Sequence, residues 1–268
     1  MEATVRVCVA GALGRMGTRI RDLLPEEPAL RLAGALEAAG VRRLGESLAP
    51  GVVLVSDPEA ALAASDVLID FTVPAATLAL LPSAEKVGIA CVIGTTGIDD
   101  AGRAAIARAA ERLPIVYTPN FSIAVNVLTH LVREAARRLG EGYDAEIVEL
   151  HHAAKRDAPS GTALRLADAV VEGRGLPAER ARERFVRARS GDTGPRPVGS
   201  IGLQALRGGD NPGEHTVLFL GSGERLELAH RAMTRDHFVR GALRAAAWVA
   251  GRGPGLYGMD EVLGLAAQ

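Results

Sequence analysis

Residues 5–17 read VRVCVAGALGRMG, an extended apolar run that meets glycines at positions 11, 14 and 17. Val5–Val9 has the β-branched composition of a strand, and Arg15–Leu24 the pattern of a helix. Small residues in the turn between them let the backbone approach an anion closely, and the helix N-terminus offers N–H groups to it. Gly11, Ala12, Leu13, Gly14, Arg15 and Met16 therefore form a candidate pyrophosphate-binding loop. Glu37 stands 20 residues after Gly17, at the end of a second strand, Leu30–Leu36. A carboxylate there can accept hydrogen bonds from ribose hydroxyls. The bland alternative is a tight strand–helix turn with no ligand. The strand before, the helix after and the acid at this distance favour a dinucleotide site.

Outward from this loop the same alternation continues. Val52–Val55, Val67–Phe71, Ile89–Ile93 and Ile115–Tyr117 have strand composition; Pro58–Ala64, Pro74–Ala84 and Asp99–Leu113 have helix composition. Strand, helix and strand at this spacing make a parallel sheet with crossovers, hence an α/β fold. Pro58 and Pro74 suit first-turn positions, where a missing N–H is harmless. Ligands of such sheets sit beyond the carboxyl ends of the strands. Three segments fall there: Phe71-Thr72, Gly94-Thr95-Thr96-Gly97 and Thr118-Pro119-Asn120-Phe121. Any one of them alone reads equally well as a turn; together with the glycine loop they read as a cleft floor.

After Asn120 the texture changes. Ile123–Leu139 is expected to be a long amphipathic helix, Glu146–Leu150 a strand and Ser160–Glu172 a helix. A polar segment rich in Arg, Gly and Pro runs from Gly173 to Pro197. Gly199–Leu206, His215–Leu220 and Glu224–Arg231 are expected to be antiparallel strands, and Asp236–Val249 a closing helix. This is the pattern of an α+β second domain with an antiparallel or mixed sheet.

The composition narrows the classes of partner. Hydrophobic residues make up 48% of the 268, enough for a sizeable core, while aromatics are only 3%. The formal net charge of −1, with no long block of like charge, argues against nucleic acid or a membrane surface as partner. The N-terminus shows no basic leader with an apolar core, and no apolar run reaches the length of a membrane span. A cytoplasmic location is expected. Cys8 and Cys91 lie in strand-like runs without metal-ligand spacing, so buried free thiols are expected, and no metal site.

The stretch 149–162, ELHHAAKRDAPSGT, carries the chemistry. His151, His152 and Lys155 gather potential proton carriers within five residues. Histidine titrates near neutrality; lysine can release a proton when its surroundings lower its pKa, whereas arginine effectively cannot. Of the 31 cationic side chains only Lys86 and Lys155 are lysines, the other 29 being arginines. A lysine retained here suggests that charge alone was not enough. Structural readings stand beside these: a solvated cation for Lys155, satisfied core residues for the histidines. Ser160 is a natural N-cap, and Gly161 and Thr162 would present first-turn amides suited to a carboxylate.

Together, GALGRMG, IDFT, GTTG, TPNFSIAVN, HHAAKRDAPSGTAL and GGDNPGEHTV resemble 4-hydroxy-tetrahydrodipicolinate reductases, formerly called dihydrodipicolinate reductases, along nearly the whole chain. The resemblance implies a Rossmann-like dinucleotide-binding domain, 1–121 with 235–268, completed by the C-terminal helix. It implies a substrate-binding and tetramerisation domain at 122–234, in a homotetramer. The implied activity is NADH- or NADPH-dependent reduction of a small cyclic dicarboxylate in diaminopimelate and lysine biosynthesis. By this likeness His151 is the proton donor and Lys155 a second one. His152, Ser160, Gly161 and Thr162 hold substrate carboxylates. Gly11 to Met16, Glu37, Gly94, Thr95, Thr96, Thr118, Pro119, Asn120 and Phe121 line the cofactor, with Thr96 near both ligands and Arg235 close to the cofactor cleft. Two departures stand out. Ala153 and Ala154 replace charged residues common in relatives. Ala38 follows Glu37 where some relatives place an arginine for the NADPH 2′-phosphate, leaving Arg42 or Arg43 to compensate. Two rivals remain at this level: a dehydrogenase acting on an amino or keto acid, and a non-catalytic dinucleotide sensor, which would need no cluster of proton donors.

Overall fold

The computed structural model describes residues 4–177 and 182–265, so part of the arginine-rich segment, 178–181, lies outside the described residues. The chain divides into two compact units, one formed by 1–123 and 236–268 and the other by 124–235.

The first unit is built on the stretch from β1 (Val5–Ala10) through α1 (Arg15–Leu23) to β2 (Leu30–Leu36). It continues with β3 (Ser47–Ala49), β4 (Val52–Val55), α2 (Pro58–Leu62), β5 (Val67–Asp70), α3 (Pro74–Val87), β6 (Ala90–Ile93), α4 (Asp100–Ala110) and β7 (Pro114–Tyr117). Pro58 and Pro74 each occupy the first turn of a helix, and Asp57 and Asp99 cap α2 and α4 through side-chain oxygens. All residues of β5 and β6 are buried, the signature of parallel strands covered on both faces.

With the C-terminal strand β13 (Gly255–Tyr257) at one edge, sheet order is β13-β7-β6-β5-β1-β2-β4-β3, parallel apart from the short edge strand β3. The C-terminal segment also supplies helix α7 (Asp236–Val249) and the short helix α8 (Met259–Leu263). Completion of this unit is therefore by a strand as well as a helix, and three residues are too few to announce a strand in the sequence. On one face of the sheet, Ile20 and Leu23 of α1 pack with Val239, Ala242, Leu243 and Ala246 of α7. On the other, Leu80 and Ala84 of α3 pack with Ile106 and Ala109 of α4. Cys8 and Cys91 are both buried free thiols in this second cluster, and burial pushes each up to about 12.

The second unit holds α5 (Ile123–Leu139), β8 (Asp144–His151), α6 (Gly161–Gly173), β9 (Phe185–Val186), β10 (Ile201–Arg207), β11 (Glu214–Leu220) and β12 (Arg225–Arg231). Its sheet runs β12-β11-β8-β10-β9. The sheet is mixed, one of the two arrangements expected: β10 runs parallel to β8, while β11 is antiparallel to both β8 and β12. The route from β8 to β10 runs from residue 152 to residue 200 and includes α6 and β9, and a connection of that length allows parallel pairing. Hydrophobic alternation marks a strand but carries no direction. The helices α5 and α6 cover one face, with Val132, Leu166 and Val170 packing on Ile147, Leu203 and Phe219.

Gly241, inside α7, sits where an added Cβ would lie 1.7 Å from the carbonyl oxygen of Phe121. In an ordinary helix interior Gly→Ala stabilises by about 1 kcal/mol. Here we expect the sign to reverse: Gly241→Ala should destabilise by roughly 1–3 kcal/mol through overpacking. Thermal unfolding checks this, and an unchanged or raised Tm would contradict it.

Candidate functional site

In the first unit, β1 lies between β5 and β2, so the chain leaves it in one direction and later returns on its other side. Beyond the carboxyl ends at such a switch point lies the usual ligand crevice of open α/β sheets. A cavity of about 520 Å³ opens there, lined by Gly11, Gly14, Arg15, Met16, Gly17 and Glu37 among others. Gly11 has φ +62°, which favours glycine, and a Cβ on Gly17 would lie 2.1 Å from the Gly11 carbonyl oxygen. The loop can thus fold tightly onto α1 only with glycine at both positions. Gly14 takes the N-cap position of α1 with no side-chain cap, and the first turn holds no acidic residue. The loop's own bonds use the amides of Ala12, to Leu36, and of Gly14, to Gly11. The first-turn amides of Arg15 and Met16 are not consumed by them, which suits an anion.

Glu37 accepts the Leu13 amide at 3.0 Å and the Ala38 amide at 3.1 Å, joining the second strand's end to the glycine loop. Ala12 is fully buried and, like Leu13, does not line the cavity; both shape the loop through their backbone. Arg43 pairs with Glu46 on the surface. Ser56, Pro58, Val73 and Ala76 also line the cavity and were not anticipated. They follow β4 and β5 on the same sheet edge, and that position was the available signal.

The remaining expected segments of this unit converge on Phe71. A Cβ on Gly94 would lie 2.2 Å from the Phe71 ring, and the rings of Phe71 and Phe121 stand 5.4 Å apart. Thr95 is buried and accepts the Thr77 hydroxyl at 2.7 Å, whereas Thr96 is exposed. Thr118 is buried and accepts the Asn120 amide at 3.3 Å, with Pro119 exposed between them. Phe71 and Thr72 line the cavity, whereas Gly94 to Gly97 and Thr118 to Phe121 do not.

In the second unit the centre is the end of β8. Ala145, Ile147, Glu149 and His151 alternate into the buried face, so the strand's period of two brings Glu149 and His151 to one side. Glu149 is only 1% exposed. Its Oε2 lies 2.5 Å from His151 Nδ1, its Oε1 accepts the Ser160 amide at 3.0 Å, and Arg207 donates to both oxygens at 2.8 Å. Burial works to raise the Glu149 carboxyl, but the hydrogen bonds from Arg207, His151 and Ser160 together hold it below the usual carboxylate range. For His151 burial dominates and lowers the imidazole; Glu149 opposes this, while Lys155 and Arg207 assist it.

The loop after β10 braces this centre. Gly208 donates to the His151 carbonyl, and the amides of His152 and Ala153 donate to the carbonyls of Asn211 and Gly209. Ser160 caps α6, accepting the Ala163 amide at 3.1 Å, and its hydroxyl lies 3.0 Å from His215 Nε2. Gly161 and Thr162 form the first turn of that helix. Lys155 meets the Asp157 carboxylate at 2.8 Å, and Arg207 also donates to the Asp157 carbonyl at 2.7 Å. The structure thus brings His151, Lys155 and Ser160 into one polar network. Arg207 and His215 join it, as does Glu149, to which the sequence reading attached no role. The signal for Glu149 was its place two residues before His151 in an alternating strand. Among the described residues no cluster suits a metal ion, and no helix is long and apolar enough to cross a membrane.

Family models for dihydrodipicolinate reductase match this chain at residues 5–121 for the N-terminal part and 124–263 for the C-terminal part. The chain belongs to the dihydrodipicolinate reductase family. It is 48% identical to the 4-hydroxy-tetrahydrodipicolinate reductase of Anaeromyxobacter dehalogenans strain 2CP-1, covering 97% of this chain and 98% of that one. Identity to the reductase of Thiobacillus denitrificans is 47%, with 98% and 99% covered. A solved dipicolinate-bound dihydrodipicolinate reductase from Paenisporosarcina sp. TG-14 is similar with a TM-score of 0.78 at 25% identity, over 96% of this chain and 99% of that one. The fold is shared more widely: scyllo-inositol dehydrogenase of Lactobacillus casei with NAD(H) has a TM-score of 0.53 at 13% identity, over 92% and 88%. Membership makes this chain an oxidoreductase of a dinucleotide-binding family that uses NAD(P)H.

His215 is 4% exposed, and burial pushes its imidazole down to about 4 from 6.5. The unfolded chain therefore binds a proton more readily than the folded one between these values. Stability is full above about pH 6.5 and is lost as pH falls toward 4, by on the order of 3 kcal/mol. The lowered His151 acts in the same direction. Denaturant titrations at pH 7 and 4.5 should show this loss, and His215→Gln should flatten the dependence; equal slopes in both proteins would contradict it.

Proposed function

We propose that this protein reduces 4-hydroxy-tetrahydrodipicolinate to tetrahydrodipicolinate with a reduced nicotinamide dinucleotide, in the diaminopimelate route to lysine. Family membership along both units carries this reading, and the network around His151 supplies the chemistry it needs. Each unit holds the features for one ligand. The glycine cradle and the α1 N-terminus suit the pyrophosphate, with Glu37 placed for the ribose. Phe71, Gly94 to Thr96 and Thr118 to Phe121 suit the rest of the dinucleotide. The first turn of α6, with Lys155 and His152, suits the two carboxylates of a cyclic substrate.

When bound, the reduced nicotinamide supplies the hydride. Loss of water from the substrate leaves a conjugated cyclic imine, and a hydride arriving at its conjugated carbon sends negative charge to the ring nitrogen. His151 supplies the compensating proton, and Lys155 is the second donor. Lys155 has to exchange its Asp157 partner for a substrate carboxylate to do so. Holding both carboxylates fixes the ring against its partner, and that orientation is a major source of acceleration. Assembly into a homotetramer is assigned to the second unit. Among the described residues α5 and α6 cover one face of its sheet, and Val148, Leu150, Leu218 and Leu220 are half-buried on the other. A cytoplasmic location goes with this reading.

Glu37 would repel a 2′-phosphate, the next residue is Ala38 rather than an arginine, and Arg43 is paired with Glu46. NADH should therefore serve at least as well as NADPH. The test is a coupled assay with the aldolase product and each nicotinamide in turn: no oxidation of either defeats the functional reading. A kcat/KM preference for NADPH of about a hundredfold, near 2.7 kcal/mol, defeats the cofactor assignment. Lys155→Ala should lower kcat by about 10²–10⁴ without altering dinucleotide affinity; a wild-type kcat would remove Lys155 from the chemistry.

A further inference from the structure

The Glu149 carboxylate is placed to decide which nitrogen of His151 exchanges protons. We propose that Glu149 is a positioning residue: it holds the proton on His151 Nδ1 and so makes Nε2 the atom that gives a proton to substrate. This rests on the functional reading above.

An ionised carboxylate only accepts hydrogen bonds. With its Oε2 2.5 Å from Nδ1, Glu149 requires a proton on that nitrogen whether the ring is neutral or charged. Any change of protonation then falls on Nε2. Three contacts keep the carboxylate in place and ionised: both Arg207 nitrogens at 2.8 Å and the Ser160 amide at 3.0 Å. The ring is further held by an edge contact with His215, centroids 5.2 Å apart at 77°. On its far side, Nε2 faces Gly213. A Cβ there would lie 2.8 Å from Nε2, and the backbone has φ +146°, so glycine leaves this nitrogen uncrowded.

The same carboxylate ties the proton donor to the anion site. Ser160 opens α6, and its amide is bonded to Glu149. Arg207 extends the link through the Asp157 carbonyl to the residue that holds Lys155. Around His151 the charged or titratable groups are Glu149 on its own strand, Arg207 at the end of β10, His215 on β11 and Lys155 in the following loop. Among these only Glu149 favours the protonated ring.

Glu149→Gln keeps the shape; the Ser160 amide and Arg207 both donate to the Oε1 position and so hold the amide oxygen there, which turns the amide nitrogen as a donor toward Nδ1, reverses the tautomer and removes the favourable charge. A proton donor must be protonated, so activity falls as pH rises through its pKa. In Glu149→Gln that limb of the kcat/KM profile should move to lower pH by about one unit. At neutral pH kcat should drop at least about tenfold, with NADH affinity unchanged. A purely structural role would lower Tm but leave the limb where it was, and that result would overturn the proposal. A second measurement needs no variant at position 149. The ¹⁵N NMR shifts of the His151 ring in the wild-type protein, assigned with His151→Gln, should show a protonated Nδ1 in the neutral state. A proton on Nε2 instead would overturn the proposal even if Glu149→Gln failed to fold. Absence of wild-type turnover with the aldolase product would defeat the functional reading alone, because the tautomer is read independently.

Discussion

A carboxylate with 1% of its surface exposed sets the terms for the whole second unit. An unpaired charge at that depth costs several kcal/mol, and removing one partner of a buried pair typically costs about 3–5 kcal/mol. Glu149 must therefore be met from every side. Its own strand brings His151, β10 ends in Arg207, and the chain after β8 returns so that the Ser160 amide reaches the same group. Those requirements explain several features at once. The loop of residues 208–213 lies against the His151–Ala153 backbone, α6 starts where it does, and β10 pairs with β8 in the register that sets Arg207 opposite His151.

In the first unit the governing constraint is different. Parallel strands need crossovers, and crossovers on both sides of β1 leave its carboxyl end uncovered. The glycine loop fills that position with backbone rather than side chains, because Gly11 and Gly17 come too close for any Cβ. Glu37 then closes the structure by bonding to the loop's Leu13 amide. What is left is a cavity walled by the glycine loop, Arg15, one carboxylate and apolar side chains such as Met16, Phe71 and Leu80, suited to a ligand that is anionic in its middle and carries hydroxyls at its side.

Much of this was legible beforehand. The glycines at 11, 14 and 17, the acid at 37 and the alternating runs mark the parallel sheet, because each rests on local rules of spacing and backbone freedom. The cluster of His151, Lys155 and Ser160 was legible for the same reason, lying within ten residues. The direction of β10 was not, since alternation is identical in parallel and antiparallel strands. Nor were the short edge strands β3 and β13, which owe their existence to a neighbour rather than to their own composition. The pairing of Lys155 with Asp157 was hidden too, because two residues of a loop meet only if the loop turns the right way.

By itself the sequence determined the class of fold, the dinucleotide loop and the chemical types gathered around residue 151, all consequences of contacts between near neighbours. Only the tertiary structure decided which groups surround Glu149. Arg207 and His215 lie more than fifty residues from it along the chain, and burial alone turns that meeting into a fixed charge that governs a histidine. Periodicity can place two residues on one face of a strand. What stands opposite them, and how dry the space between is, follows from packing.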